Sequence, residues 1–245
     1  MAYWILKAVL SPVFFLLWRV KIEGREHVPA HGPAVLAANH QSFCDSFFLP
    51  LALRRRVTYV AKAEYFDSWR TSWFFRAAGQ IPMNRGGGDA SQRALDTARK
   101  VLDAGGLLGI YPEGTRAPDP RLHKGHTGAA RLALRCDVPI IPVGIVGSRA
   151  VQPPGSNLMR PFHSVTVRFG PPVTYRSNEH TVTTGICADD PEGGEGPRDI
   201  DQAELRALTD SLMEEIARLS GQEYVDHYAN RAHAGRPGVA DRSNG

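Results

Sequence analysis

A histidine and an aspartate, His40 and Asp45, stand close together in the segment NHQSFCD at residues 39–45, where a run of small apolar residues ends. If Ser42 caps a helix that begins here, His40 lies just before the helix and Asp45 lies in its first turn, within reach of the imidazole. A carboxylate in that position fixes the tautomer of the imidazole and stabilises the imidazolium. The pair predicts a general base that takes a proton from an attacking hydroxyl without any serine nucleophile.

Two other interpretations of the same segment stay open. Ser42 and Asp45 also match a capping box, in which Asp45 satisfies a backbone donor and His40 is a hydrogen-bonded residue at a strand end. Cys44 could instead act as a nucleophile beside the histidine. On a helix Cys44 points away from the face of Asp45, so we interpret it as a small buried residue.

The segment YPEGTR at residues 111–116 directly follows an apolar run and offers a second group of polar residues. It contains a carboxylate, a glycine, a hydroxyl and a guanidinium in order: Glu113, Gly114, Thr115 and Arg116. Such a set suits an oxygen-rich substrate, because Arg116 can offer a fork to a phosphate and Glu113 can orient the arginine. Taken alone, the segment is more typical of a turn with a surface ion pair.

Two further basic residues stand near predicted helix starts, which attract anions. Arg85 follows the apolar segment QIPM at residues 80–83 and precedes three glycines at residues 86–88. These glycines lack the Lys-Ser or Lys-Thr pair of a nucleotide P-loop. Lys124 precedes a second predicted helix, where it either adds another positive group or is a solvated surface lysine.

The elements that must position these residues form an α/β pattern, in which short β-type runs alternate with helical ones. The predicted strands are residues 34–38, 57–61, 80–83, 107–111, 140–145 and 164–169. Only the last run alternates strongly, as an edge or half-exposed strand does, and the others are typical of buried strands in a mainly parallel sheet. Strand ends are where α/β sheets build their sites, and both polar segments follow strands.

Helices are predicted at residues 89–104, 127–135 and 201–219, the first because it ends at two glycines and the last because it begins with a capping box. Residues 178–198 are rich in acidic residues, glycine and proline, which predicts a flexible insertion. The segment after residue 221 has a similar composition, so we predict a disordered tail at residues 222–245.

The N-terminal segment, residues 1–20, is apolar except at four positions, which are Lys7, Ser11, Pro12 and Arg19. Aromatic residues near both of its ends are typical of a membrane interface. Lys7 and Pro12 divide the stretch into runs too short to span a bilayer, which favours shallow or re-entrant insertion of a helical segment. A buried core helix and a cleaved signal peptide are the alternatives, although the basic residues follow the apolar run rather than precede it.

Composition excludes several classes of protein. With 245 residues, of which 42% are hydrophobic and 22% charged, the chain matches neither a disordered protein nor a multi-span membrane protein. The 29 basic against 25 acidic side chains favour anionic partners without requiring nucleic acid. The cysteines Cys44, Cys136 and Cys187 are odd in number and form no C-x-x-C motif, which supports neither disulfides nor structural zinc and favours a reducing cytoplasm.

In their order along the chain, these motifs resemble those of the lysophospholipid acyltransferases, the family of PlsC-type 1-acylglycerol-3-phosphate acyltransferases. The family's histidine and aspartate motif matches His40 and Asp45, and its arginine after a strand matches Arg85. Its E-G-T-R motif matches residues 113–116, and its late V-P-I-I-P run matches residues 138–142. Four motifs in the family's order are far more specific than any one of them.

The resemblance implies an α/β fold of the glycerolipid acyltransferase type and a reaction at a thioester. His40 would deprotonate the acceptor hydroxyl, which attacks the thioester of acyl-CoA or acyl carrier protein, while Asp45 orients His40. Arg85 and Arg116 would bind the phosphate of lysophosphatidic acid, and the product would be phosphatidic acid. The other substrate-binding residues would be Glu113, Gly114, Thr115 and Lys124. The acyl donor is a substrate, and neither a metal nor another cofactor is expected.

We therefore predict that residues 1–20 associate with the membrane and that residues 21–221 form the acyltransferase domain, peripheral or monotopic at the cytoplasmic face of the cell membrane. The expected partners are membrane lipids, lysophosphatidic acid and acyl-CoA or acyl carrier protein, with no nucleic acid. Another lysophospholipid or a glycolipid is the alternative acceptor, and a non-catalytic lipid-binding module is the alternative function. A hydrolase with a histidine-activated water is chemically close, but it gives no role to two phosphate-binding arginines.

Overall fold

The computed structural model of the chain describes residues 2–62, 64–67, 69–78, 80–83, 88–156, 158–173, 176–177, 180–181 and 201–229. Its helices are α1 (Ala2–Leu17), α2 (Asp45–Ala52), α3 (Glu64–Asp67), α4 (Trp69–Ala77), α5 (Gly88–Asp103), α6 (Gly128–Cys136), α7 (Ser148–Val151) and α8 (Gln202–Ser220), with a 3-10 turn at Arg25–His27. Its strands are β1 (Arg19–Glu23), β2 (Ala34–Ala38), β3 (Val57–Lys62), β4 (Ile81–Met83), β5 (Leu107–Ile110), β6 (Leu122–His123), β7 (Ile140–Val146), β8 (Ser164–Phe169), β9 (Arg176–Ser177), β10 (His180–Thr181) and β11 (Tyr224–Val225).

Within the described residues, seven strands form one sheet in the order β1-β8-β7-β2-β5-β3-β4. Neighbouring strands are parallel except for β7 and β8. At the centre, Val35 of β2 lies opposite both Leu108 of β5 and Ile140 of β7. Because these three strands run in one direction, the segments that follow them emerge at the same edge of the sheet. The predicted α/β fold with a mainly parallel sheet is confirmed.

Helices cover both faces of this sheet, and the strands bury alternate residues against them. In β2, Ala34, Leu36 and Ala38 belong to an apolar cluster that includes residues of α1 and α2. Val35 and Ala37 belong to a second cluster, with residues of α5, α6 and α8. This period of two, with both sides apolar, is the pattern of a strand buried on both faces. Each fully buried leucine or phenylalanine in such a core contributes about 1.5–3 kcal/mol to folding.

The long helix α8 has the boundaries that its sequence predicts. The side chain of Asp201 accepts a hydrogen bond from the amide of Ala203 at its start, and Gly221 ends it in the left-handed region with a φ of 71°. Its predicted apolar stripe is buried, at Leu205, Leu208, Leu212, Ile216 and Leu219. The boundaries of α5 and α6 also lie within one residue of the prediction.

All six predicted strands are present, and their ends lie within one residue of the prediction. The prediction missed β1, a short segment of sequence RVKIE that directly follows the apolar N-terminal run. β1 pairs in parallel with β8 and forms the outer strand of the sheet. Of the two predicted settings for β8, an edge strand or a half-exposed strand, the structure shows the half-exposed one.

The chain after α8 is ordered for longer than predicted. Residues 224–225 form β11, which pairs in parallel with β6, and the amide of Leu122 donates to the carbonyl of Glu223. The prediction of a disordered tail is therefore wrong for residues 222–229, because this segment gains strand partners that its composition does not reveal. Of the predicted flexible insertion, only residues 180–181 are described, and they pair with residues 176–177. The rest of the insertion and of the tail lies outside the described residues.

The N-terminal segment forms one helix, α1, which passes through Pro12. Lys7 fits into it because its Nζ donates hydrogen bonds to the carbonyls of Pro50 and Leu53 at the end of α2. One side of α1 packs on the core through Phe14, while the other side is exposed. No helix in the described ranges is long and apolar enough to cross a membrane.

Candidate active site

His40 and Asp45 meet in the segment that joins β2 to α2. Nδ1 of His40 lies 3.1 Å from Oδ2 of Asp45. The same oxygen accepts hydrogen bonds of 2.8 Å from the amides of Gln41 and Ser42, and the Asp45 side chain is completely buried. Because a carboxylate only accepts, Nδ1 carries the proton of the neutral imidazole and Nε2 is the nitrogen that can take another. The backbone thus fixes the orientation of the pair that the sequence predicts.

The start of α2 differs from the predicted helix cap at Ser42. The helix begins at Asp45, and the residue before it, Cys44, makes no capping hydrogen bond with its side chain. Ser42 lies earlier, in a turn. Its amide donates to the carboxylate of Asp45, and its hydroxyl donates to the carbonyl of Gln152 at 3.0 Å. The capping-box alternative is correct in that Asp45 satisfies backbone donors, but the same carboxylate also contacts His40.

Cys44 is a buried thiol rather than an accessible nucleophile. Its Sγ lies 3.2 Å from the hydroxyl of Ser42 and 3.6 Å from the carbonyl of Ser148. Burial, together with the negative charge of Asp45, raises the pKa of the thiol to about 12. The reactive thiolate is therefore not formed near neutral pH, and the interpretation of Cys44 as a small buried residue is confirmed.

An aromatic ring that the sequence analysis did not assign to the site lies on the imidazole of His40. The rings of Tyr111 and His40 are parallel to within 10°, and their centroids are 3.9 Å apart. The hydroxyl of Tyr111 is 3.1 Å from that of Ser46 in α2, and the ring of Tyr59 stacks at 5.5 Å from it. An aromatic face stabilises a cation placed over it, so this stack favours the imidazolium that forms when His40 takes a proton.

Glu113 is placed differently from its prediction. It is 1% exposed, and its two oxygens accept hydrogen bonds of 3.0 Å from the amides of His40 and His123. It therefore ties the end of β2 to β6 instead of orienting Arg116, and it shapes the site rather than facing a substrate. Burial raises the pKa of Glu113 to about 7, against the opposing effect of those two amides.

The rest of the E-G-T-R segment forms a tight loop beside His40. Gly114 has a φ of 70°, and a Cβ there would lie 3.0 Å from the ring of His126, so both conformation and space favour glycine. The amide of Ala117 donates to the carbonyl of His40 at 2.8 Å. This bond holds the loop against the segment that carries His40, with the half-buried Thr115 and the exposed Arg116 just before Ala117.

Lys124, which was predicted either to add a positive group or to be a solvated surface lysine, forms an ion pair in the structure. Its Nζ forms an ion pair of 2.7 Å with Asp226, which raises the pKa of the ammonium, and its amide donates to the carbonyl of His227. The partners come from the segment after α8 that was predicted to be a disordered tail. Lys124 therefore lies beside the loop but already has a counter-ion.

Two residues that the sequence analysis missed fasten the loops of the site to the sheet. Asn39 exchanges two hydrogen bonds with the backbone of Ile145, at 2.9 and 2.7 Å. Arg149 in α7 donates to the carbonyls of residues 117–119. Asn39 directly precedes the histidine motif, which was an available signal, whereas Arg149 stands in no motif and joins segments that are distant in the sequence.

The remaining predicted site residue, Arg85, lies outside the described residues. In the described part of the chain, no group of three or more His, Cys, Asp or Glu side chains is arranged to hold a metal ion. The expectation that the reaction needs no cofactor stays a prediction.

Parts of the chain are similar in sequence to curated acyltransferases. The chloroplastic 1-acyl-sn-glycerol-3-phosphate acyltransferase LPAT1 of Arabidopsis thaliana is 28% identical over 172 residues, which are 70% of this chain and 48% of that protein. The human 1-acyl-sn-glycerol-3-phosphate acyltransferase alpha is 30% identical over 141 residues, 57% of this chain and 50% of that protein. The chain thus spans about half the length of these curated relatives.

A solved structure shows the same fold. It is the crystal structure of the 1-acyl-sn-glycerophosphate acyltransferase PlsC from Thermotoga maritima, with a TM-score of 0.59 and 24% sequence identity, over 82% of this chain and 71% of that one. The family model described as Acyltransferase matches residues 19–146, which contain both the histidine motif and the E-G-T-R loop. On this match, the chain belongs to the acyltransferase family.

Proposed function

We propose that this protein transfers a fatty acyl group from acyl-CoA or acyl carrier protein to the free hydroxyl of 1-acylglycerol 3-phosphate and so makes phosphatidic acid. The observation that carries the proposal is the contact of His40 with a buried Asp45, next to a loop that ends in an exposed Arg116. A base beside an arginine suits a substrate with both a hydroxyl and a phosphate. The relatives named above bear the name of this activity.

The proposed reaction follows from the charge on His40. Nε2 takes the proton of the acceptor hydroxyl as the oxygen attacks the thioester carbonyl, and the resulting tetrahedral intermediate collapses by breaking its carbon–sulfur bond. The leaving thiolate then takes the proton from the imidazolium, which restores the neutral histidine. Asp45 and the face of Tyr111 stabilise the imidazolium between these steps.

Phosphate recognition is assigned to the arginines. A guanidinium can hold two phosphate oxygens at once and keeps its charge at every physiological pH. Arg116 is exposed at the end of the loop that is bonded to His40 through Ala117. Arg85 is proposed as the second arginine from its motif, and Lys124 would contribute only if a phosphate competed with Asp226.

We also propose that the enzyme binds the cytoplasmic face of the cell membrane through α1, as a peripheral or monotopic protein. One side of α1 is fixed to the core, and large apolar side chains on the other side are open to solvent. Exposed apolar area of this kind marks an interaction surface. The proposal agrees with the substrates, since lysophosphatidic acid and its product are amphiphiles that reside in bilayers.

The test is thiol release from acyl-CoA in detergent, with and without lysophosphatidic acid, for the parent and for His40→Ala. We expect acceptor-dependent release that the substitution abolishes, while His31→Ala, a change at an exposed histidine, retains it. Release without an acceptor would instead indicate a thioesterase. Release with other lysophospholipids or with glycolipids only would reassign the acceptor. If neither acyl-CoA nor acyl carrier protein thioesters react, a non-catalytic lipid-binding module replaces the proposal.

A further inference from the structure

Most of the large exposed apolar side chains of the described residues lie in α1 or in segments that contact it. These large exposed side chains are Trp4, Ile5, Val9, Val13, Phe15 and Leu16 in α1, Trp73 in α4, Leu158 and Phe162 before β8, and Tyr228 near the C-terminus. α4 contacts α1. The segment 158–162, which we call the apolar loop, carries two of these residues and was not singled out by any sequence motif.

The apolar loop is bonded directly to the end of α1. The amide of Phe162 donates to the carbonyl of Leu17 at 2.6 Å, and the indole of Trp18 donates to the carbonyl of Arg160 at 2.7 Å. Arg19 continues the contact, since its amide donates to the carbonyl of His163. The loop therefore extends the exposed apolar surface beyond the last turn of the helix.

The backbone at Phe162 is in a conformation that its side chain disfavours. Its φ is 66°, in the left-handed region that glycine and asparagine adopt much more easily. Yet the side chain is 73% exposed, so it gains little from contacts inside the protein. Leu158, at the other end of the loop, is 79% exposed. Internal packing therefore does not explain why bulky apolar residues stand at these two positions.

Charges around the loop indicate what covers it. Arg19 and Arg160 are both exposed and are held at the junction of the loop with α1 by the bonds just described. Apolar side chains flanked by arginines suit an anionic lipid surface, where the rings and alkyl groups enter the interface and the guanidinium groups meet phosphates.

We propose that the apolar loop is a second membrane contact, in which Leu158 and Phe162 insert into an anionic bilayer beside α1. This inference rests on the proposed function in one respect: the acyl acceptor lies in the same bilayer. With α1 as the single contact, the protein could rotate about the axis of that helix. A second contact fixes its orientation on the membrane surface.

Hydrogen bonds connect the apolar loop to the catalytic segment. The Ser42 hydroxyl donates to the carbonyl of Gln152, whose side-chain amide donates to the carbonyl of Ser156 at 3.2 Å. The hydroxyl of Ser156 in turn donates to the carbonyl of Leu158 at 3.0 Å. Because Ser42 lies two residues from His40, docking of the loop sets the position of the catalytic base relative to the lipid surface.

The experiment compares Phe162→Gly with Phe162→Leu in flotation with vesicles of phosphatidylcholine and phosphatidylglycerol. Glycine adopts the observed φ without strain, so we expect the thermal midpoint to stay the same or rise. Vesicle affinity should nevertheless fall about tenfold, because an apolar anchor is lost. Phe162→Leu keeps an apolar side chain on the same backbone and should bind within about twofold of the parent. Tyr228→Ser, at the exposed aromatic far from α1 in the sequence, should bind as the parent does.

Parent affinity in Phe162→Gly would overturn the proposal. So would a concentration-dependent dimer of the parent that Phe162→Gly dissociates, since a second copy of the chain would then cover the loop. Turnover of short-chain, monomeric substrates without vesicles separates this inference from the proposed function. Loss of vesicle binding by Phe162→Gly with normal turnover supports the second contact. Absence of turnover in the parent contradicts the proposed function, and the vesicle result alone then decides whether the loop binds the membrane.

Discussion

The region around His40 and the region around Arg116 are built in opposite ways, although one hydrogen bond joins them. His40 is held by a buried carboxylate, a stacked ring and backbone bonds on both sides. Arg116 is exposed at the end of a loop. Proton transfer depends on the position of a nitrogen to a few tenths of an ångström, whereas a long charged side chain can adjust its conformation to a phosphate that has already bound. The proposed function thus places the chemical step in the region that is held by many contacts, and phosphate recognition in the exposed one.

The largest expected effect is that of Asp45→Asn, which alters the region around His40. The amide of asparagine has nearly the same shape as the carboxylate, but it lacks the charge that stabilises the imidazolium. It can also point an N–H at Nδ1 of His40, where the carboxylate accepts a hydrogen bond. We expect kcat to fall about a thousandfold with little change in KM. Asp103→Asn, at an exposed aspartate that ends α5, is the control. A loss of less than tenfold in kcat at Asp45 would contradict the role of the pair.

Arg116→Ala alters the exposed region and should weaken binding of the acceptor. A charge-assisted hydrogen bond to phosphate contributes roughly 1.5–3 kcal/mol, so KM for lysophosphatidic acid should rise about 10- to 100-fold with kcat unchanged. Monoacylglycerol, which lacks the phosphate, should be used equally well by parent and variant. Arg135→Ala, at an exposed position in α6, is the control. A fall in kcat without a rise in KM would contradict the proposed separation between proton transfer at His40 and phosphate binding at Arg116.

The third prediction concerns the ring on His40. Tyr111→Leu removes the aromatic face that stabilises the imidazolium, so we expect kcat to fall about tenfold. Tyr111→Phe keeps the ring and loses the hydroxyl that contacts Ser46, so it should remain within about twofold of the parent. Equal losses in both variants would show that packing, not the stack, is what matters.

The smallest effect is expected in stability at Glu113. Its pKa is about 7 in the folded protein against an ordinary 4.5, so the folded state binds the proton more tightly than the unfolded chain does. The free energy of unfolding therefore loses a contribution from Glu113 as pH rises from about 4.5 to about 7.

Glu113→Gln tests this prediction because glutamine does not titrate. The variant should be less stable than the parent, since its N–H faces a backbone N–H, but the difference in thermal midpoint should narrow by a few degrees over that pH range. Melting curves at several pH values check the prediction, with Glu204→Gln in the first turn of α8 as the control. A difference that widens with pH would contradict it.

Much of the fold follows from local patterns in the sequence. Buried runs gave the strands, and the glycines and capping residues gave the ends of α5 and α8, because these signals act over a few residues. β1 was missed since its partner, β8, lies more than a hundred residues away in the sequence. The same holds for β11, whose pairing with β6 turns a polar segment into an ordered one.

The candidate site was predictable in its residue types but not in all their roles. His40 and Asp45 are close in the sequence, so their contact could be inferred from a short motif. Glu113 bonds to amides on two other segments, and Lys124 pairs with Asp226 from beyond α8. These roles depend on which chain segments become neighbours, and the spacing of residues within one motif carries no information about that.

The most direct measurement of the central claim is a single turnover of acyl-CoA and lysophosphatidic acid by excess enzyme, with phosphatidic acid as the readout. It should be made on the parent and on His40→Ala, together with calorimetric titration of lysophosphatidic acid into both. Catalysis by His40 predicts rapid product formation in the parent and none in the variant on the same time scale, with similar binding of the acceptor. Product formation by His40→Ala at the parent rate would contradict it.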